Sequence, residues 1–353
     1  QSMRVVEIEG LSGRSSILVG ERLENLSRRL PQGRVIIITD ANLLRLYREE
    51  LPPLPVLSIG CGESVKTLET VKDLYETLVD LEADRSTFIL GVGGGVVCDV
   101  AGFVASTYLR GLRFGFVATT LLAQVDASVG GKNGVNLGGY KNLVGAFRQP
   151  EFVLCDMRFL NTLPEAEVVN GMAEIVKHAL IADAGMFAFL EDHAEDALGL
   201  DPATLEKLVG DSVVIKAGVV GRDEHETGER RTLNFGHTFG HALEKVGELS
   251  HGEAVSVGMA LAAGLSVRRG RLPAAAHDRI IALLRRLRLP VSADVDHRRV
   301  LQTLRKDKKR EASRIRFVLL EDIGQARVEE IEIQELERLA SEFPEILRQR
   351  SHP

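Results

Sequence analysis

Four short apolar runs, each closing on glycine or aspartate, constrain the fold of this chain more than any other feature. They are RVIIITD (34–40), VLSIG (56–60), TFILGVGGG (87–95) and FVLCD (152–156). Runs of this length without polar alternation read as strands buried on both faces, which is the signature of a parallel sheet. Stretches with helical spacing, such as SVKTLETVKDLYETLVDLEA (64–83), lie between them and supply the covering layers. From about residue 164 the strand pattern gives way to helical spacing in PEAEVVNGMAEIVKHALIAD, PATLEKLVGDSVVIKAGVV, GEAVSVGMALAAGLSVRRG and AAAHDRIIALLRRLRL. The late RIRFVLLEDIGQARVEEIEI reads as a β-hairpin turning at EDIGQ. The expected architecture is an α/β, Rossmann-like N-terminal domain with a parallel sheet (residues 3–163), followed by a mostly α-helical C-terminal domain (164–353). With no low-complexity linker between them, an extensive interface is expected, and its cleft is the natural place for a site. No internal repeat is visible.

At 353 residues the chain is long enough for two cores. Apolar residues make up 44% and charged residues 27%, a globular profile, and no apolar run approaches the ~20 residues of a membrane span. Three cysteines are too few for a disulfide framework, so a reducing cytoplasm is the expected location. No secretory leader is visible, and QSM ahead of RVVEI reads as a scar before a native Met3. The net charge of −6 argues against a nucleic-acid surface. A phosphorylated substrate then requires that Lys and Arg be gathered in one place.

Two stretches suggest phosphate or nucleotide binding. FILGVGGGVVCDVAGFVAS sets Gly93, Gly94 and Gly95 between a strand and a helical pattern, where backbone N–H groups and the helix dipole favour a pyrophosphate. The spacing is not GxGxxG, since Val96 occupies the third glycine position, and a plain tight turn is the alternative. Asp40, closing its strand in ITDANL, is placed to take ribose hydroxyls. Residues 107–147 form the second stretch, a glycine-rich run carrying Arg110, Asp126, Lys132, Lys141 and Asn142. Ordering such a run is costly unless a ligand repays it. The apolar residues between its charges argue against a merely solvated loop.

Three of the nine histidines fall within LNFGHTFGHALE and HGEAV. His237 and His241, four apart, would share one helix face and could chelate a metal. Glu174 in AEIVKHAL offers a carboxylate, with Lys177 three residues on, and His251 stands at a helix start. The spacing suggests a zinc-like site and leaves open which three of Glu174, His237, His241 and His251 bind the ion. Core packing explains any one of these histidines more easily than all three.

The chain resembles the 3-dehydroquinate synthase family of sugar-phosphate cyclases through GGGVVCDVAGFVASTYLRG, TTLLAQVDASVGGKNGVN, KNLVGAFRQP, GMAEIVKHALI, LNFGHTFGHALE, HGEAV and DKK, over roughly residues 34–325. The resemblance implies that Glu174, His237 and His251 bind one Zn2+ or Co2+ and that His241 faces the substrate instead. It implies an NAD site at Asp40 and Asn42, at Glu63, Ser64, Val65 and Lys66, and at Gly94, Gly95, Val96 and Asp99. Thr119, Thr120, Lys132 and Lys141 belong to the same site, as do Phe159, Leu160, Asn161 and Thr162. The implied substrate contacts are Arg110, Asp126, Lys132, Asn142, Lys177, Lys216, Arg230, Asn234, His241 and Lys308. KDKKR also offers Lys306 and Lys309 for that last role. Departures from the family pattern are Cys98 and Tyr140 where glycine is usual, Asn133 for threonine and His178 for tyrosine; they bear on local loop shape.

The implied reaction converts 3-deoxy-D-arabino-heptulosonate 7-phosphate into 3-dehydroquinate and phosphate in the shikimate pathway, which leads to chorismate and the aromatic amino acids. The partners implied are a phosphorylated sugar acid and a second copy of the chain in a homodimer, with no nucleic acid and no membrane. A related cyclase of the inosose or valiolone synthase type is the nearest rival. A metal-dependent polyol dehydrogenase is the more distant one, and it would need fewer cations.

Overall fold

The computed structural model describes residues 3–224, 226, 228–247, 249–308 and 314–348. The chain divides into two compact units, Gln1–Leu163 with Val209–Glu224, and Pro164–Leu208 with His225–Pro353. The sequence-based boundary at 163/164 therefore leaves one helical segment, Val209–Glu224, on the other side of the division.

The first unit contains β1 (Arg4–Gly10), β2 (Gly13–Val19), β3 (Val35–Asp40), α1 (Ala41–Tyr47), β4 (Val56–Ile59), α2 (Leu68–Asp80), β5 (Phe88–Gly93), α3 (Gly95–Thr107), β6 (Arg113–Ala118), β7 (Lys132–Leu137), β8 (Tyr140–Phe147) and β9 (Phe152–Cys155). Among the described residues seven strands form one sheet in the order β1-β2-β9-β6-β5-β3-β4. The four expected strands are β3, β4, β5 and β9, all parallel to their neighbours. β3 and β5 are buried along nearly their whole length, as their apolar runs require. β6 is hidden in the sequence because FGFVATT lies inside the glycine-rich stretch. The sheet is not purely parallel, because β1 pairs antiparallel with β2 and forms an edge. Exposed Arg4, Glu7 and Glu9 on β1 suit an edge strand, since charge there discourages further pairing. Ile37, Leu90, Val92, Val117 and Leu154 pack with Phe159 and Tyr47 in one apolar core of this unit.

The second unit contains α4 (Glu165–Ala182), α5 (Ala184–Leu198), the first part of α6 (Pro202–Arg222), α7 (His237–Val246), α8 (His251–Arg268), α9 (Ala274–Arg286), β10 (Ala293–Asp294), α10 (His297–Lys308), β11 (Arg314–Asp322), β12 (Gln325–Glu332), α11 (Ile333–Ser341) and β13 (Leu347–Arg348). The hairpin β11–β12 turns at Asp322–Gln325, inside the expected EDIGQ. α4 is buried continuously from Asn170 to Ile181 and α8 from Gly252 to Ser266, so each is surrounded by other elements and lacks a solvent face. α8 packs on both α4 and α7. Among the described residues no helix is long and apolar enough to cross a membrane.

Candidate metal centre and cofactor loop

The glycines before His237 and His241 explain how helices come close enough to build a centre. Gly236 caps α7 in the left-handed region, φ 76°, where a Cβ would meet the Met259 side chain at 2.6 Å and the Val255 carbonyl oxygen at 2.9 Å. On the facing helix, a Cβ at Gly258 would run into the Gly236 carbonyl. At the start of α8, a Cβ at Gly252 would stand 2.5 Å from Asn170 Cα, so α8 begins pressed against α4. Asn170 Oδ1 accepts from Gly252 N at 3.0 Å. Ser250 and Glu253 close a capping box around the first turn of α8, which fixes the place of His251.

These contacts bring three side chains from three helices together. Glu174 Oε1 lies 3.3 Å from His237 Nε2 and 3.2 Å from His251 Nε2, and Glu174 is fully buried. One ligand atom from each of the three lies within 4.8 Å of the others. Lys177, buried one helical turn along α4, pairs with the other Glu174 oxygen. Burial alone would raise the Glu174 pKa, but the Lys177 ammonium and then His237 outweigh it and hold the carboxyl well below its usual range.

The donor set fits a divalent cation. His237 Nδ1 is 3.1 Å from the Phe235 carbonyl oxygen, an acceptor only, so that nitrogen carries the proton. In a neutral His237 ring Nε2 then presents a lone pair to the Glu174 carboxylate, a repulsion that a cation at the centre relieves. His251 Nε2 faces the same oxygen, so the three side chains offer two ring nitrogens and one carboxylate, a set suited to a divalent ion. His241 does not join this set. Its ring lies edge-on to His237 at 5.4 Å, and although it is open to solvent on one side, local desolvation and then the neighbouring His237 lower its pKa. The pair that spacing suggests is thus split, and the ligand that joins His237 comes from the next helix.

Other candidates in the second unit fall nearby in the chain. Arg230 is 3% exposed on the 3-10 turn Glu229–Asn234, and Asn234 Nδ2 donates to Glu226 Oε1 at 2.5 Å. His178 is buried in α4. Lys308 ends α10, but its side chain, like all of Lys309, lies outside the described residues. Sequence reasoning passed over Glu226 and Glu244. Glu244 had a signal, because it continues the His237–His241 face of α7 at a spacing of three.

In the first unit the strand-to-helix turn has the expected form. Gly94 is the N-cap of α3 and offers no side-chain cap, which leaves the first-turn N–H groups to other acceptors. A Cβ at Gly94 would stand 2.9 Å from Thr120 Cγ2, and Thr120 Oγ1 accepts from Ala123 N at 3.1 Å. Asp99, one turn into α3, accepts from Lys66 Nζ at 2.5 Å. Burial pushes Asp99 up to about 6 against the pull of that ammonium. Asp40 caps α1 by accepting from Leu43 N at 2.8 Å, and Asn42 accepts from Arg45.

The last part of the polar stretch, after β6, is a hairpin, β7–β8, tied to the segment 63–66. Asn136 donates to Glu63 Oε1 at 2.7 Å and to the Lys66 carbonyl oxygen at 2.9 Å, and accepts from Asn142 N at 2.8 Å. Asn133 is buried and donates to the Gly131 and Arg148 carbonyl oxygens, so the asparagine closes the hairpin base. Lys132, Lys141 and Asn142 are exposed on it, and Tyr140 is 56% exposed beside Lys141. Arg110 (φ 68°) and Asn142 (φ 52°) both hold left-handed backbone, a strain that recurs at functional positions. Lys216 Nζ donates to the Asp126 carbonyl oxygen at 2.6 Å and to its carboxylate at 2.5 Å, anchoring a single π-helical turn. Phe159 and Leu160 have buried side chains, and Thr162 Oγ1 hydrogen-bonds the Tyr47 hydroxyl at 2.7 Å. Thr119 is buried, whereas Asn161 is exposed.

A carboxylate and two imidazoles from three helices place the chain among proteins with a donor set for one divalent ion, beside a parallel-sheet α/β unit. Models of the 3-dehydroquinate synthase N-terminal and C-terminal regions match residues 56–170 and 171–310. A 3-dehydroquinate synthase from Halorhodospira halophila (strain DSM 244 / SL1) is 44% identical over 311 residues, covering 86% of this chain and 88% of that one. The chain belongs to the 3-dehydroquinate synthase family. Its fold is shared with a 2-deoxy-scyllo-inosose synthase solved with carbaglucose-6-phosphate, NAD+ and Co2+ (TM-score 0.86, 30% identity, 96% of this chain and 100% of that one). It is shared equally with a 2-epi-5-epi-valiolone synthase from Streptomyces hygroscopicus subsp. jinggangensis 5008 with bound NAD+ and Zn2+ (TM-score 0.86, 30% identity, 97% and 99% covered).

Proposed function

We propose that the chain carries out the reaction of its family, conversion of 3-deoxy-D-arabino-heptulosonate 7-phosphate into 3-dehydroquinate and phosphate. The observation that carries this is the Glu174–His237–His251 cluster with Lys177 paired to it, in a chain 44% identical to a 3-dehydroquinate synthase. The two cyclases that make inososes or valiolones stand at 30% identity, which favours the heptulosonate phosphate over their substrates.

Glu174, His237 and His251 would hold one Zn2+ or Co2+, and the first unit would hold NAD; together these supply Lewis acidity at a sugar hydroxyl and a reversible hydride acceptor. The remaining work falls to side chains. Lys177 neutralises Glu174 and orients it, and its remaining N–H groups can reach a substrate oxygen. The guanidiniums of Arg110 and Arg230 suit a carboxylate or phosphate in bidentate fashion, Lys132 and one lysine of KDKKR act as movable charges, and Lys216 offers a charge held in place by Asp126. His241, with its pKa held low, is neutral at pH 7 and so can accept a proton or a hydroxyl hydrogen bond. Asn234 positions a hydroxyl. In the first unit the α3 N-terminus with Gly94, Gly95 and Val96 takes the pyrophosphate, and Asp40, Asn42, the 63–66 segment, Asp99, Thr119, Thr120, Lys141 and 159–162 surround the rest of the cofactor. With these assignments 3–163 would hold the cofactor and 164–353 the metal, and both stretches would contribute substrate contacts. A cytoplasmic homodimer completes the proposal.

Phosphate release from the heptulosonate phosphate tests it, measured with and without chelator and added NAD. Release that needs both the ion and NAD, with no net NADH, supports the reading. Net NADH from a simple polyol, or turnover of only another sugar phosphate, contradicts it.

A further inference from the structure

His237, His241 and Glu244 run along one face of α7, and the third member has no role in the site described so far. Glu244 is nearly buried, with its side chain 9% exposed, and Oε1 lies 3.6 Å from Nδ1 of His251 across the contact between α7 and α8. Nε2 of the same ring is 3.2 Å from Glu174. The imidazole of His251 therefore lies between two carboxylates, Glu174 at hydrogen-bond distance from Nε2 and Glu244 at ion-pair distance from Nδ1. His237 has the same arrangement with a neutral partner, the Phe235 carbonyl on Nδ1 and Glu174 on Nε2. Glu244 does not belong to the group whose ligand atoms converge.

The two rings differ in what they need. His237 is braced at Nδ1 by the backbone two residues before it. His251 is the first residue of α8, where the preceding turn is spent on the capping box and the helix dipole withdraws electron density from the ring. A carboxylate on Nδ1–H corrects both: it fixes the proton on that nitrogen and makes Nε2 more electron-rich. We propose that Glu244 is a positioning residue for the metal centre, which holds the tautomer and ring plane of His251 so that Nε2 faces the ion. It acts through His251 and touches neither ion nor substrate. The inference deepens the metal reading above and rests on it.

The test uses the full chain and Co2+ alone, without NAD or substrate. Co2+ affinity is measured by competition with a chromophoric chelator, and the visible d–d spectrum reports the ligand geometry, for wild type, E244A and E244Q. Loss of an outer carboxylate of this kind weakens a site by about 10–100-fold, so E244A is expected to lose that much and to shift the d–d bands. E244Q keeps an acceptor oxygen for Nδ1–H, so it should retain most of the spectrum with a smaller loss of affinity. Should E244A fail to fold, E244Q decides alone: weaker Co2+ binding with a near-native spectrum supports the proposal. Wild-type affinity and spectrum in E244Q, or in E244A where it folds, overturn it. A wild type that binds no Co2+ overturns the metal reading itself, and the role of Glu244 with it.

Discussion

The two halves of the machinery are built from different materials. In the first unit the features proposed to bind the cofactor are mostly backbone: an uncapped helix start after Gly94, a hairpin tied to residues 63–66 by Asn136, and left-handed turns at Arg110 and Asn142. In the second unit they are side chains from three helices, converging because glycines at 236, 252 and 258 let those helices approach. A backbone site tolerates exchange of side chains but not an added methyl group. A side-chain cage depends on the identity of each ligand and on the helix contacts behind it. Substitutions that respect this difference should separate the two halves.

The largest effect is expected for the cage. H237A should lose the metal and, with it, turnover by several orders of magnitude, because the Lewis acid is gone; metal content and phosphate release report both. H241A should keep the metal and lose part of the turnover, and a variant that loses metal would place His241 among the ligands. K177M comes next. Removing one partner of a buried pair typically costs about 3–5 kcal/mol, so the metal-free variant should melt well below wild type. Added Zn2+ should restore part of that stability by compensating Glu174, while turnover stays low. A melt that Zn2+ does not raise would show that the ion does not sit on Glu174.

In the first unit, G94A should behave in the opposite way. The atoms nearest the new methyl belong to Thr120, whose hydroxyl accepts from Ala123 N, so stability should fall by about 1–3 kcal/mol, less than for K177M. NAD affinity should fall about tenfold or more, because the methyl stands where the cofactor must approach the backbone. Unchanged NAD affinity, by titration of intrinsic or cofactor fluorescence, would remove the turn from the cofactor site. The smallest effect is a pH slope. Asp99 titrates near 6 in the fold and near 4 when unfolded, so between those values the folded state binds more protons. Stability from this group is therefore present at low pH and lost as pH rises from about 4 to 6. The loss is on the order of 1–3 kcal/mol, and D99N should lack that slope in chemical denaturation.

The same contrast explains what could be read from sequence. β3, β4, β5 and β9 were legible because their apolar runs are too short for a buried helix and each closes on glycine or aspartate. β6 and the β7–β8 hairpin were not, since their glycines and charges hide strand periodicity until Asn136 and Asn133 are seen to bind the backbone. β1 escaped because its exposed charges mask the alternation of an edge strand. Around the cage, helical spacing pointed to His237 with His241, a pair on one face of one helix. Spacing holds no information on a ligand that arrives from another helix, so His251 needed the fold, or the family resemblance, to be chosen over His241. Glu244 lay in plain view in LNFGHTFGHALE, yet nothing in a linear pattern says that it reaches the far side of the His251 ring.

The most direct test of the account is anomalous diffraction at the cobalt edge from Co2+-loaded crystals. The expected result is one ion bonded to Glu174, to Nε2 of His237 and to Nε2 of His251, each at about 2.0–2.2 Å. An ion held instead by His241, or bound away from Glu174, would contradict it.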